Sequence, residues 1–171
     1  MKLPTNTPRS LWTTLVAFSV LGMAFAFYLQ YVEGLAPCPL CMTQRIFLVA
    51  VGVVSAIAVV HNPGTVGLRL YAAGAFIFTV LGGAFAGRHV WLQHLPEDQV
   101  PACGPSLEYL IDTLPLRDAL SVLLMGDGNC AEVVWQFLGF SIPELTLAAF
   151  VAIAIAILRI VVLSGTAISR Q

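Results

Sequence analysis

The chain has 171 residues, 58% hydrophobic and only 10% charged, with a formal net charge of -1 and a mean hydropathy of +0.89. Soluble domains carry about a quarter charged residues, so this composition excludes a soluble globular protein and points to an integral membrane protein. Eight basic and nine acidic residues that form no basic patch leave no electrostatic footprint for nucleic acid.

Four apolar runs come near or exceed the roughly 20 residues needed to cross a bilayer core. Residues 11–32 carry no charge, and residues 42–60 carry only Arg45 near their start. Residues 70–92 hold Arg88 and His89 late in the run, and residues 145–163 hold Arg159 near their end. Lipid offers unpaired backbone groups no partner, so each run predicts a membrane-spanning helix. The fold class is therefore all-α, a four-transmembrane-helix bundle forming one domain over residues 1–171. Lys2 and Arg9 give the first run the basic start of an export signal. Its apolar stretch is longer than the roughly 7 to 15 residues of such signals and no small-x-small cleavage site follows, so it is expected to stay as a helix.

The first span is followed by residues 33–41, which contain Cys38-Pro39-Leu40-Cys41. Two thiols at this spacing can close a small disulfide ring, and a cysteine in the first turn of a helix feels the partial positive charge of unsatisfied amides, which favours its thiolate. Arg45 lies one helical turn past Cys41 on the same face, where a cation would lower the thiol pKa and steady an anion. Alone, an arginine near a helix end can simply snorkel to the headgroups; beside a dithiol it becomes a functional candidate. The motif reads as a redox site at the membrane boundary, exchanging electrons with something dissolved in lipid.

The segment 93–144 is too long for a mere connector. Pro101, Gly104 and Pro105 surround Cys103, and Gly126, Asp127, Gly128 and Asn129 precede Cys130, placing both cysteines in turn-forming chain that a partner can reach. Between them, residues 116–125 put Leu116, Ala119, Leu120, Leu123 and Leu124 largely on one helical face, as expected of a short helix on the bilayer surface. Near the third and fourth spans, Gly83-Ala84-Phe85-Ala86-Gly87 has the small-xxx-small pattern of closely packed membrane helices. Trp91, Trp135, Phe137 and Phe140 fall where aromatic residues anchor at an interface, and Ser141 with Glu144 has the spacing of a capping box, with Pro143 tolerated in the first turn.

Lys2, Arg9, Arg69, Arg159 and Arg170 mark one side of the predicted bundle. On the other side, the segment 93–144 holds eight of the nine carboxylates, Glu97, Asp98, Glu108, Asp112, Asp118, Asp127, Glu132 and Glu144, against one Arg117, and residues 33–41 have no basic residue. By the positive-inside tendency both termini are cytoplasmic and the loops 33–41 and 93–144 face outward. All four cysteines then lie on the oxidising side. Two structural disulfides stapling those loops are the bland alternative. A Cys-x-x-Cys ring, however, closes too few residues to constrain the unfolded chain much. A structural zinc site is disfavoured because no His, Asp or Glu falls at ligand spacing around Cys103 and Cys130, so no metal is expected. His89 and His94 read as polar anchors near the interface, with proton transfer or donation to a carbonyl as the functional alternative.

Four spans with both ends inside, Cys38-Pro39-Leu40-Cys41 with Arg45, the outer pair Cys103 and Cys130, and Gly128-Asn129-Cys130-Ala131-Glu132 leading through Trp135 to Phe137-Leu138-Gly139 together resemble the DsbB family, disulfide bond formation protein B. The resemblance covers essentially the whole chain. It implies a thiol:quinone oxidoreductase of the bacterial cytoplasmic (inner) membrane, with both cysteine-bearing loops in the periplasm, that re-oxidises a DsbA-like thioredoxin-fold partner. It also implies that Cys38, Cys41, Cys103, Cys130 and Arg45 are catalytic, with Cys41, Arg45 and His94 at the site of a quinone, ubiquinone aerobically or menaquinone. The implied partners are the DsbA-like oxidase, the quinone pool and the lipid bilayer. A DsbA-type oxidant has a potential near about -120 mV, whereas ordinary structural disulfides lie below about -300 mV; the roughly 180 mV gap, about 8 kcal/mol, requires a stronger electron acceptor such as a quinone. Two other readings are a non-enzymatic scaffold with inert disulfides and the vitamin K epoxide reductase type. The order of the cysteine pairs along the chain favours DsbB over the latter.

Overall fold

The computed structural model describes residues 7–104 and 115–168. Lys2, Pro105, Glu108, Asp112 and Arg170, used above in the charge and turn arguments, lie outside the described residues. Four long helices form an antiparallel bundle: α1 (Pro8–Tyr31), α2 (Pro39–His61), α3 (Thr65–Gln93) and, after a short helix α4 (Leu116–Met125), α5 (Ile142–Ile168). Each of the four is long and apolar enough to cross a membrane.

The four predicted spans are all present; three start three residues before the apolar runs counted from sequence, at Pro8, Pro39 and Ile142, and α3 starts five residues before, at Thr65. The physical reason is capping. Thr7 accepts a hydrogen bond from Ser10 N with Pro8 opening α1, and Pro39 opens α2 with fixed φ and no amide proton to leave unpaired. Cys38 is thereby the N-cap residue of α2 and Cys41 lies in its first turn.

α3 packs against both α2 and α5, and α1 packs against α2. Trp12, Leu15, Val51, Ala75, Phe150 and Ile157 are among the residues of the shared core. In the most apolar stretch of each span only 17–28% of residues are buried within the protein. Large apolar side chains such as Leu21, Val60 and Leu70 point outward, which is the arrangement lipid rather than water stabilises.

Close approach of α3 and α5 occurs one residue before the predicted small-residue stripe. A Cβ on Gly82 would lie 2.3 Å from Phe150 Cζ, whereas one on Gly83 would make only ordinary contact at 3.6 Å and one on Gly87 would meet nothing within 4 Å. The capping box at α5 forms by half: Ser141 N donates to Glu144 Oε2 at 2.7 Å, while Ser141 Oγ is buried with no hydrogen-bond partner among the described residues.

The short helix is present as expected over Leu116–Met125, but it is tied to the bundle as well. Thr43 Oγ1 donates to Leu123 O at 2.7 Å and Arg88 Nε to Met125 O at 2.8 Å. A small hairpin, absent from the sequence reading, precedes α5: β1 (Gln136–Phe137) pairs antiparallel with β2 (Phe140–Ser141). Leu138 and Gly139 both take positive φ, 52° and 85°, as a two-residue hairpin turn requires. Trp135 stacks on Phe137 and meets Phe25 of α1 edge-on, so this aromatic group ties the hairpin to the bundle.

Candidate active site

The cysteine end of the bundle brings together the start of α2, the end of α3 and the turn Gly128–Cys130. At the start of α2 the Sγ atoms of Cys38 and Cys41 are 3.3 Å apart, and all four cysteines are free thiols. Cys38 and Cys41 are half-buried. Three residues span one helical turn, so the Cys-x-x-Cys spacing alone aims both thiols to one side once Pro39 starts the helix.

His89, in the last turns of α3 and only 3% exposed, faces that dithiol. Its Nε2 lies 3.7 Å from Cys38 Sγ and its Nδ1 4.0 Å from Cys41 Sγ. Gln44, buried and one turn beyond Cys41 on α2, places its amide 3.2 Å from His89 Nδ1. Nothing in the local spacing around the cysteines announces this imidazole. The available signals were an ionisable residue inside an apolar span and, for Gln44, its position three residues after Cys41.

Cys130 is completely buried and packs with Leu40 and Leu92, with Cys38 against the same cluster. The Cys38 thiol beside it, and then burial itself, hold the Cys130 thiol pKa well above the usual thiol range. Its turn is built by Asp127, which accepts from Asn129 N at 3.1 Å and from Asn129 Nδ2 at 3.1 Å. The Cys103 segment lies directly on this turn. Gly128 N donates to Ala102 O at 3.2 Å and Asn129 Nδ2 to Gly104 O at 3.1 Å, leaving Cys103 exposed at the surface. Gly128 is required by this contact: a Cβ there would sit 2.4 Å from Pro101 O and 2.9 Å from Cys103 N.

Arg45 and His94 are directed differently. The Arg45 guanidinium donates to Gln30 Oε1 and to Ala26 O, both on α1, and lies 5.9 Å above the Phe27 ring. His94, exposed at the end of α3, engages Val90 O through Nδ1 at 2.8 Å.

A family model described as disulfide bond formation protein DsbB matches residues 8–160. The chain belongs to the DsbB family. It is 53% identical over 151 residues to disulfide bond formation protein B of Saccharophagus degradans, covering 87% of this chain and 91% of that protein. The protein of the same name from Hahella chejuensis is 54% identical over 129 residues, covering 75% and 78%, and that of Acinetobacter baumannii is 53% identical over 137 residues, covering 80% of each. This DsbB-family chain is thus a disulfide-forming oxidoreductase with four transmembrane helices. Three of its four cysteines gather at one end of the bundle, and the fourth is exposed beside the third.

Proposed function

We propose that the protein re-oxidises a DsbA-like periplasmic thiol oxidase and passes the electrons to a membrane quinone, with residues 33–41 and 93–144 on the periplasmic side of the bacterial inner membrane. The observation that carries this reading is the packing of buried Cys130 against Cys38, with Cys103 exposed on the turn that holds Cys130.

In the resting protein of this reading, Cys103 is bonded to Cys130 and Cys38 to Cys41. A partner thiolate attacks exposed Cys103; the Cys103–Cys130 bond breaks and Cys130 leaves as thiol or thiolate. A second partner thiolate then displaces Cys103 and leaves the partner oxidised. Cys130 attacks Cys38, its neighbour, which breaks the Cys38–Cys41 bond and releases Cys41. Attack of Cys103 on Cys130 re-forms the outer disulfide and frees Cys38. The net change is one partner dithiol oxidised and the Cys38–Cys41 pair reduced by two electrons.

The residues around Cys41 fit a quinone: a half-buried thiol in the first turn of α2 and a guanidinium on the next turn of that helix suit an acceptor that gains negative charge. Cys41, Arg45 and His94 would hold the group, which when bound supplies the two-electron sink. Arg45 contributes positive potential from its anchorage on α1, and Pro39 keeps Cys41 in the first turn, where the unpaired amides favour its thiolate.

Anaerobic stopped-flow mixing of the ubiquinone-loaded protein with a reduced DsbA-type partner, following quinone absorbance, tests the reading. Quinone consumption that matches partner oxidation and disappears in Cys41→Ser and in Cys103→Ser supports it. A partner that stays reduced while all four cysteines remain paired identifies the disulfides as structural staples.

A further inference from the structure

The ligating atoms of Cys38, Cys41 and His89 all lie within 4.8 Å of one another. The cysteines come from the start of α2 and the histidine from α3, two helices packed along their length, so helix packing rather than loop conformation sets the cluster. Spacing spoke against a metal only for ligands around Cys103 and Cys130; the imidazole beside the first pair is 51 residues from Cys38 in the chain.

The dimensions suit a small thiophilic ion. With metal–sulfur bonds of about 2.3 Å and a metal–nitrogen bond of about 2.0–2.1 Å, a tetrahedral centre holds sulfur and nitrogen about 3.5 Å apart and two sulfurs about 3.8 Å apart. Nε2 of His89 and Sγ of Cys38 are 3.7 Å apart, and the two sulfurs, at 3.3 Å, need to separate by only about 0.5 Å, within reach of a χ1 adjustment at half-buried Cys38. The second ring nitrogen already has a neighbour: Gln44 Nε2 lies 3.2 Å from Nδ1, and when Nε2 of the ring binds a metal, so that Nδ1 carries the proton, a half-turn of the Gln44 amide presents its carbonyl oxygen to accept it. Such an outer partner fixes tautomer and ring orientation in metal-binding histidines. The one cation on the following turn, Arg45, is bonded to Gln30 and Ala26 of α1 and not to the cluster.

We propose that the reduced Cys38–Cys41 pair and His89 form a redox-gated site for a thiophilic divalent cation of the zinc class. Binding replaces the two thiol protons, which go to solvent, by two metal–sulfur bonds and one metal–nitrogen bond; no electrons move. Formation of the Cys38–Cys41 disulfide removes both sulfur ligands, so the oxidised protein has no site. Where the relay described above operates, a bound ion holds the dithiol reduced and stalls it, and this consequence alone rests on that reading.

The test is an anaerobic titration of the full-length reduced protein with Co2+, followed by displacement with Zn2+ in the presence of a chromogenic chelator. Tetrahedral ligand-field bands with sulfur-to-cobalt charge transfer at one equivalent are expected. They are expected to vanish in Cys41→Ser and to persist in the Cys103→Ser/Cys130→Ser double variant. Gln44→Leu is expected to weaken binding about 10–100-fold, and His89→Gln at least as much. The oxidised wild-type protein, which needs no substitution, is expected to show no bands. Equal binding by the oxidised protein, unchanged affinity in His89→Gln, loss of the bands in the Cys103/Cys130 variant or absence of tight binding by the reduced protein would each overturn the proposal. These spectra report the site whether or not a quinone is reduced. Failure of the relay with the bands intact would count against the relay alone.

Discussion

The guanidinium of Arg45 is bonded to Gln30 of the preceding helix, although the dithiol lies one turn away on its own helix. Its second bond, to Ala26 O, and the Phe27 ring beneath it hold the cation against α1. Arg45 therefore fastens α1 to α2 while its charge stands near Cys41. Interhelical polar contacts in membranes average about 0.6 kcal/mol and reach about 1.7. A double-mutant cycle of Arg45→Ala and Gln30→Ala, read by unfolding in mixed micelles, is expected to give a coupling of about 0.6–1.7 kcal/mol. Quinone reduction is expected to fall in Arg45→Ala and to be spared in Gln30→Ala, which keeps the charge.

Gly128 governs how the two outer cysteines sit together. Because a Cβ there would press on Pro101 O and the Cys103 amide, Gly128→Ala is expected to lift the Cys103 segment off its turn. In the fully reduced protein, maleimide labelling should modify exposed Cys103 first and buried Cys130 much later. Gly128→Ala should shorten that lag by tenfold or more and lower turnover with partner. An unchanged lag would show that the docking does not protect Cys130.

The raised thiol pKa of Cys130 has a definite pH signature. An unfolded cysteine ionises near about 8.5, whereas the folded one stays protonated beyond that. The unfolded state therefore binds fewer protons above about pH 8.5, and the stability of the reduced protein falls as pH rises past that point. Below it the contribution is complete. Denaturation of the reduced protein between pH 7 and 10 is expected to show this loss, and Cys130→Ser is expected to reduce it. Cys38→Ser, which removes the first cause of the shift, should also speed alkylation of Cys130 at alkaline pH.

Phe150 fills the space above the bare Cα of Gly82, and the ring is itself 3% exposed and cannot swing aside freely. Gly82→Ala is therefore expected to destabilise the bundle by about 1–3 kcal/mol through overpacking. Gly87→Ala, whose Cβ would meet nothing within 4 Å, should be neutral or slightly stabilising. Unfolding of the two variants in the same micelles makes the comparison, and equal stabilities would disprove the close α3–α5 contact.

The four spans, the short helix between the outer cysteines and the Cys-Pro-Leu-Cys motif at a helix start were legible in the sequence because each depends on residues within a turn or a single span. Length and apolarity decide whether a segment crosses a membrane, and proline beside a cysteine decides where α2 begins. The small-residue stripe was legible only as a tendency. Which glycine met a neighbour depended on the rotation of α3 against α5, and the structure chose Gly82 opposite Phe150 over Gly87. The hairpin escaped because its turn, Leu138-Gly139, puts a leucine at positive φ where asparagine or glycine is usual.

By itself, then, the sequence determined an all-helical membrane chain with a dithiol at the head of its second span and two further cysteines in its longest loop. Only the tertiary structure decided what surrounds that dithiol. His89 and Gln44 meet beside it across 45 residues of chain, Cys130 is buried against Cys38, and Arg45 turns to α1. Those contacts depend on how each helix is rotated about its own axis, and that rotation is settled by side-chain packing between helices, to which no local pattern of residues gives direct access.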